Sequence, residues 1–293
     1  MKPAPFDYVA PHTLDEALGL LADADGDTKI LAGGQSLIPV LNMRLAAPSR
    51  LIDLGRIREL VYVRERDGGY SIGAMTRQRA VERDTRIRRD VPLLAEALTY
   101  VGHPQIRSRG TIGGSVAHGD PAAELPAVAV CLDAQVTVQG PQGTRTLGAG
   151  DLYLGYLATV LAPDEIVTDL WFPQAAPNSG LAWIEFARRH GDYAIAGVGV
   201  SLTVDAGCVT EARIVVSGVG GLPVRARAAE ALVTGSELDG QQIAPSVLRD
   251  AVEAVRAAIE PETDVQATAA YRRHLAGVLL ERALRLACQR AGG

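Results

Sequence analysis

Two glycine pairs in this chain each stand beside a small hydroxyl residue: Ala32-Gly33-Gly34-Gln35-Ser36 and Thr111-Ile112-Gly113-Gly114-Ser115. Glycine leaves backbone N–H groups uncovered, and a neighbouring serine or threonine adds a short polar donor. Successive N–H groups in a tight turn or at a helix N-terminus can ligate an anion whose charge is spread over several oxygens. The chemistry open to these residues is therefore the holding of a phosphate, above all a pyrophosphate, without lysines. Taken singly, each Gly-Gly reads as an ordinary turn. The second pair is followed at once by His118, Asp120 and Glu124. A partly buried acid beside a nucleotide accepts hydrogen bonds from ribose or adenine, whereas facing the phosphates it would repel them.

Other chemistries lack their residues. There is no G-x-x-x-x-G-K-[ST], and Gly197-x-Gly199 misses the third glycine of the dinucleotide fingerprint while lying inside a strand pattern. An ATPase or a plain Rossmann domain is not indicated. Cys131, Cys208 and Cys288 are about eighty residues apart with no C-x-x-C, so zinc and iron–sulfur ligation lack their spacing here. Each reads as a small buried hydrophobe, and any such cluster must sit on another chain. His103, His118 and His190 fit no zinc pattern and read as loop hydrogen-bonders. The net charge of −5 comes from interspersed acids and arginines, which advertises no face for nucleic acid or an anionic membrane. The charge run 83–89 reads as a solvated face that could dock a partner. No apolar run is long enough for a membrane span and the start carries no apolar h-region, so a cytoplasmic protein is expected.

The elements that must position these loops follow from hydrophobic periodicity. Thr13-Leu14-Asp15-Glu16 is a capping box opening a helix through Leu21. Lys29-Ile30-Leu31-Ala32 reads as a buried strand running straight into Gly33-Gly34, after which Ser36 is placed to cap a second helix. With strands at 6–9 and 51–54, residues 1–55 form a β-α-β-α-β unit whose second strand-to-helix turn is the glycine loop. Such turns, beyond the carboxyl ends of strands, are where open α/β sheets bind ligands. From 57 to 175 the chain becomes β-rich. Strands are expected at 60–63, 70–73, 136–138, 143–147 and 166–172, a hairpin turn at Asp67-Gly68-Gly69, and helices at 78–83, 92–101 and 122–132. The stretch 102–119 shows no period and reads as an irregular loop. Residues 173–180 read as a linker, followed by strands at 182–188, 196–204 and 209–217 and helices at 225–233, 245–259 and 265–290. At 293 residues about two domains are expected, and with only 4% aromatics their cores must be Ala, Val, Leu and Ile.

Three motifs in this order are familiar. The A-G-G-Q-S loop, T-I-G-G-S with Ala122-Ala123-Glu124-Leu125-Pro126 downstream, and Arg188-Arg189-His190-Gly191-Asp192-Tyr193-Ala194 resemble the FAD-binding medium subunit of molybdenum hydroxylases. The aerobic carbon monoxide dehydrogenase type is the nearer likeness and the flavin domain of xanthine dehydrogenase the more distant, over essentially the whole chain. The resemblance implies an α+β fold of the vanillyl-alcohol-oxidase, or PCMH, type. An FAD-binding domain would span 1–175, in subdomains 1–55 and 56–175. A C-terminal domain, 176–293, would hold a three-stranded antiparallel sheet and three helices.

By the same resemblance, FAD lies extended between the two N-terminal subdomains and the C-terminal domain. Lys29, Ile30, Leu31, Ala32, Gly33, Gly34, Gln35, Ser36 and Leu37, with Thr111, Gly113, Gly114 and Ser115, would hold the diphosphate and ribityl chain. Asp120 belongs to the cofactor set, Glu124 stands where the family sets an acid on the cofactor, and Leu161 matches an apolar contact. Asp192 and Tyr193 fall in the motif that approaches the isoalloxazine. Tyr193 could cover a flavin face, or pack at a strand edge with its hydroxyl in water. A lysine often found just before the Arg-rich motif is Glu185 here. No residue is assigned acid–base catalysis or a metal. The resemblance also implies a small iron–sulfur subunit and a large molybdopterin subunit, in a dimer of heterotrimers. Electrons would leave through FAD to an external acceptor. A stand-alone FAD-dependent oxidoreductase of the same fold, or a flavin-free scaffold, are the alternatives.

Overall fold

The computed structural model describes residues 2–23 and 27–291. The chain opens with β1 (Asp7–Val9), α1 (Leu14–Ala22), β2 (Thr28–Leu31), α2 (Leu37–Asn42) and β3 (Arg50–Asp53). The strands form a parallel sheet in the order β1-β3-β2. The capping box forms: the Thr13 hydroxyl accepts from the Glu16 N–H, and the Glu16 carboxylate takes the Thr13 N–H. Leu14, Ala17 and Leu21 of that helix meet Ile52, Leu54 and Ile57 in a small core. Ser36, in contrast, does not cap α2. Its backbone is already helical and its side chain bonds no helix N–H, because the first helical bond runs from Ile38 N–H to Gly34 carbonyl. A capping side chain must instead stand on extended backbone outside the first turn.

The middle unit contains β4 (Val63–Arg66), β5 (Gly69–Gly73), α3 (Gln78–Arg83), α4 (Thr85–Asp90), α5 (Pro92–Leu98), α6 (Pro104–Arg109), α7 (Ile112–His118) and α8 (Glu124–Cys131). It closes with β6 (Gln135–Gly140), β7 (Gly143–Gly148), the small pair β8 (Tyr153–Gly155) and β9 (Ala158–Thr159), and β10 (Ile166–Pro173). Its sheet runs β4-β5-β10-β6-β7, every pair antiparallel. Asp67 and Gly68 both take positive φ (52° and 71°), the two-residue turn that matches strand twist. Arg58–Leu60 forms a tight turn, so the strand expected at 60–63 starts only at Val63.

The stretch 102–119 is not irregular. It holds α6, with Pro104 in the first turn, and α7, capped by Thr111, whose hydroxyl accepts the Gly114 N–H at 3.1 Å. Gly113 hid the period: a Cβ there would come within 2.4 Å of the Ala74 Cβ, so the helix lies directly on its neighbour at that point. Every residue of α8 is buried, including Glu124, because the helix packs between α5 and the third sheet. A helix apolar all round belongs inside.

The third unit comprises β11 (Ser179–Phe186), β12 (Ala196–Asp205), β13 (Cys208–Ser217), β14 (Val224–Arg225), α9 (Arg227–Val233), the pair β15 (Leu238–Asp239) and β16 (Gln242–Ile243), α10 (Pro245–Ala258) and α11 (Ala269–Ala291). The antiparallel sheet has four strands, not the three expected, since β14 adds two residues opposite Val215 and Val216. Two residues are too short to leave a period in the sequence. Gly180, expected in a linker, lies in β11 because α11 crosses there: a Cβ would fall 1.8 Å from the Ala287 carbonyl. Gly197 and Gly199 share one face of β12 and leave room for the buried Trp183 ring. Among the described residues, no helix is long and apolar enough to cross a membrane.

Candidate functional site

After Leu31 the chain turns through Ala32–Ser36 into α2, at the carboxyl end of the parallel sheet. Gly34 stands at φ +74°, the left-handed region where a Cβ is penalised. That turn leaves a row of donors. The backbone N–H groups of Gly33, Gly34, Gln35, Ser36 and Leu37 reach no protein acceptor among the described residues, and all five residues are half-buried. Unpaired N–H groups withdrawn from water cost free energy unless an anion or water meets them. The Gln35 side chain turns back to donate to the Gly33 carbonyl at 3.0 Å.

The second glycine pair touches the first. A Cβ on Gly33 would come within 2.6 Å of the Arg109 carbonyl and 2.7 Å of Gly110 Cα; one on Gly114 would come within 3.1 Å of Ala32 Cβ and 3.9 Å of Gly33 N. Only glycines allow that approach. The amides of the second pair are nevertheless not bare. Ile112 donates to Thr76 at 3.1 Å, Gly113 to Ala74 at 2.9 Å, Gly114 to the Thr111 hydroxyl at 3.1 Å and Ser115 to the Thr111 carbonyl at 3.3 Å. The expectation of two open rows of donors is thus corrected to one, because residues 112–115 form the first turn of a helix already capped and edged by protein. The second segment contributes close approach, the Thr111 N–H facing Gly33, and a Ser115 hydroxyl with no protein partner among the described residues.

Acids and a ring surround this junction. Asp120 accepts the Ala122 N–H at 2.9 Å, and the Gly218 N–H donates to the Pro121 carbonyl at 2.9 Å, tying the third sheet to the same turn. Glu124 opens α8 with 7% of its surface exposed and no hydrogen bond from any other described residue. Burial, then the charge of Glu185, push its carboxyl up to about 8. Glu185 on β11 accepts the Trp183 ring N–H at 2.9 Å and is itself pushed up to about 7 by burial.

Tyr193 is 57% exposed. Partial burial and then the Asp120 charge raise its phenol above the ordinary value, with Glu124 and Tyr156 adding to the rise and the Ser36 hydroxyl opposing it. The Ser36 hydroxyl of the open loop and the Asp120 charge thus both act on this ring. Its loop is seated by Gly191, at φ +87°, where a Cβ would come within 2.7 Å of His103 Nδ1. Leu161 is half-buried against the middle core, just after β9, whose Thr159 lies beside Gly119. Asp192 is exposed, its N–H on the Arg189 carbonyl at 3.1 Å. Lys29 and Ile30 lie further back in β2, the lysine exposed and the isoleucine against the small core, while Leu31 sits under Gly34.

Two residues at the junction carried no expectation. Arg77 bridges to Thr111 and donates to the Arg109 carbonyl, the same oxygen that abuts Gly33. Only the long-range bridge brings Arg77 here, so nothing local in the sequence marks it. Arg109 precedes the second loop by two residues, a signal that could have been read. Among the described residues no cluster of His, Cys, Asp or Glu could hold a metal ion.

A strand-to-helix loop of open amides braced against a second glycine helix is an arrangement suited to an anionic group such as a phosphate. Residues 4–175 match the family described as the FAD binding domain in molybdopterin dehydrogenase, and residues 182–287 the CO dehydrogenase flavoprotein C-terminal domain. The chain is 42% identical to the 6-hydroxypseudooxynicotine dehydrogenase complex subunit alpha of Paenarthrobacter nicotinovorans, over 99% of this chain and 97% of that one. It is 36% identical to the carbon monoxide dehydrogenase medium chain of Hydrogenophaga pseudoflava, over 99% of each. The solved carbon monoxide dehydrogenase of that organism, which lacks the Mo-pyranopterin moiety, matches with TM-score 0.95 and 37% identity over 99% of both chains. The chain belongs to the FAD-binding medium subunits of the molybdenum hydroxylases, with FAD as its cofactor and their α+β fold. Its relatives are dehydrogenase subunits and medium chains of multi-subunit complexes.

Proposed function

We propose that this chain is the electron-transferring flavin subunit of a cytoplasmic molybdenum hydroxylase, a dimer of heterotrimers with a small iron–sulfur subunit and a large molybdopterin subunit. When bound, FAD supplies the redox chemistry, taking electrons from iron–sulfur clusters of the partner and passing them to an external acceptor. The observation that carries this reading is the row of five half-buried amides at Gly33–Leu37 without protein acceptors, braced by Gly114. Such a row fits a diphosphate.

Residues 1–175 are the cofactor domain and 176–293 the C-terminal domain. Gly33–Leu37, with the Thr111 N–H and the Ser115 hydroxyl, hold the diphosphate and ribityl chain; Gly113 and Gly114 let the two segments approach, and Lys29–Ala32 carry the loop from behind. Asp120 and Glu124 accept hydrogen bonds from the cofactor's sugar or base. Leu161 gives an apolar contact, and Asp192 and Tyr193 border the ring, Tyr193 limiting what reaches it. Glu124, protonated near neutral pH, can also donate from its carboxyl. This chain's work is binding, orientation and exclusion of solvent, and none of its residues moves a substrate proton.

Purification of the native complex tests the reading. A yellow chain with one bound FAD, co-purifying with an iron–sulfur chain and a molybdopterin chain identified by mass spectrometry, is the expected result. A colourless chain that takes up no FAD, or an isolated chain that oxidises an organic substrate unaided, refutes it.

A further inference from the structure

Resting on the flavin reading above, we propose that Arg77 and Arg109 supply the positive charge that neutralises the cofactor's diphosphate. The open loop offers dipoles only, and Lys29 lies behind it, exposed on β2. A diphosphate diester carries two negative charges, and its removal from water needs cations as well as N–H groups. The Arg77 guanidinium ends on the Arg109 carbonyl, the oxygen that abuts Gly33 where the open loop begins.

Neither arginine has a carboxylate within ion-pair distance among the described residues, and the Arg109 guanidinium donates to no protein group. Their neighbours differ: Arg79 and Arg107 share Glu82 at 2.7 Å and 2.9 Å. Asp53 is the acid whose charge reaches Arg77, yet its oxygens take the Tyr8 hydroxyl at 2.5 Å and the Gly55 N–H at 2.8 Å. Burial, then the like charge of Arg109, pull Arg77 below its ordinary value. The Arg109 backbone adjoins Gly33 and its charge reaches Arg77, and like charges so close are relieved when an anion lies between them.

The test uses the full-length apo chain with Arg77→Gln, Arg109→Gln and the double variant. FAD binding is followed by fluorescence quenching at two salt concentrations, with inorganic pyrophosphate as competitor. Each single variant should lose about tenfold in FAD affinity, the double more, with a weaker salt dependence and no competition by pyrophosphate. Riboflavin, which has no phosphate, should bind all forms alike. Because the Arg109 side chain makes no bond within the protein, Arg109→Gln should melt with the wild type, keeping folding apart from binding. A double variant that binds FAD and pyrophosphate as the wild type does, with the same salt slope, overturns the subsite and leaves the flavin reading intact. A wild type that binds pyrophosphate through these arginines and no FAD upholds the subsite and overturns the flavin reading.

Discussion

Replacing Glu124 with Gln should flatten much of the pH dependence of the apo chain's stability. The folded chain holds this carboxyl at about 8 against an ordinary 4.5. Between those values the native state keeps a proton that the unfolded state has released, so stability is complete below the ordinary value. It falls as pH rises, by about 1.4 kcal/mol per pH unit, until the folded value is passed. A shift of that size caps the loss at roughly 5 kcal/mol, and relaxation of the surroundings will make the measured loss smaller. Glu185, held at about 7, adds a slope of the same sign over the lower part of the window. Glu124→Gln should therefore match the wild type near pH 5 and exceed it at pH 8, while the double variant with Glu185→Gln should be nearly flat. Urea midpoints of the apo proteins from pH 5 to 8 measure this. If wild type and Glu124→Gln give parallel lines, the carboxyl is not held protonated and the account of its burial is wrong.

The contact between the glycine segments predicts that Gly33→Ala, with backbone 2.6 Å and 2.7 Å from the new Cβ, forces the loops apart. Flavin occupancy should fall at least about tenfold with a stability cost of about 1–3 kcal/mol, and unchanged occupancy by absorption spectroscopy would break the link between loop contact and binding. Gly180→Ala, with its Cβ 1.8 Å from the Ala287 carbonyl, should destabilise the chain by about 3 kcal/mol in urea unfolding. A midpoint equal to wild type would mean α11 does not lie on β11 there. Tyr193→Ala removes a largely exposed ring and should leave stability within about 0.5 kcal/mol while changing the rate at which oxygen reoxidises the reduced flavoprotein. Identical stopped-flow traces would remove Tyr193 from the site.

The features legible in the sequence were those written locally. The Thr13/Glu16 capping box, the Asp67-Gly68 turn and the strand running into Gly33-Gly34 each depend on a few adjacent residues, and each formed. Features set by distant neighbours were hidden. Gly113 looked like loop because the residue it packs on, Ala74, is nearly forty positions earlier. Gly180 looked like linker because the helix above it comes a hundred residues later. For the site, the two glycine motifs were readable, but which amides stayed open was not. That depended on Thr111 capping its own helix and on Thr76 and Ala74 taking two N–H groups from a neighbouring segment. Arg77 was invisible for the same reason.

Helix α8 has no wet face, and it belongs to neither neighbour alone. Its Cys131 sulfur lies on the Gly199 carbonyl at 3.8 Å and its Val130 carbonyl takes Arg225 at 2.9 Å, while α5 covers the opposite side. A chimera that joined residues 1–175 to the last third of a distant relative would lay this seam against unfamiliar side chains and disturb Glu124 at its tip. Neither part can be exchanged as a free-standing cassette without repacking α8.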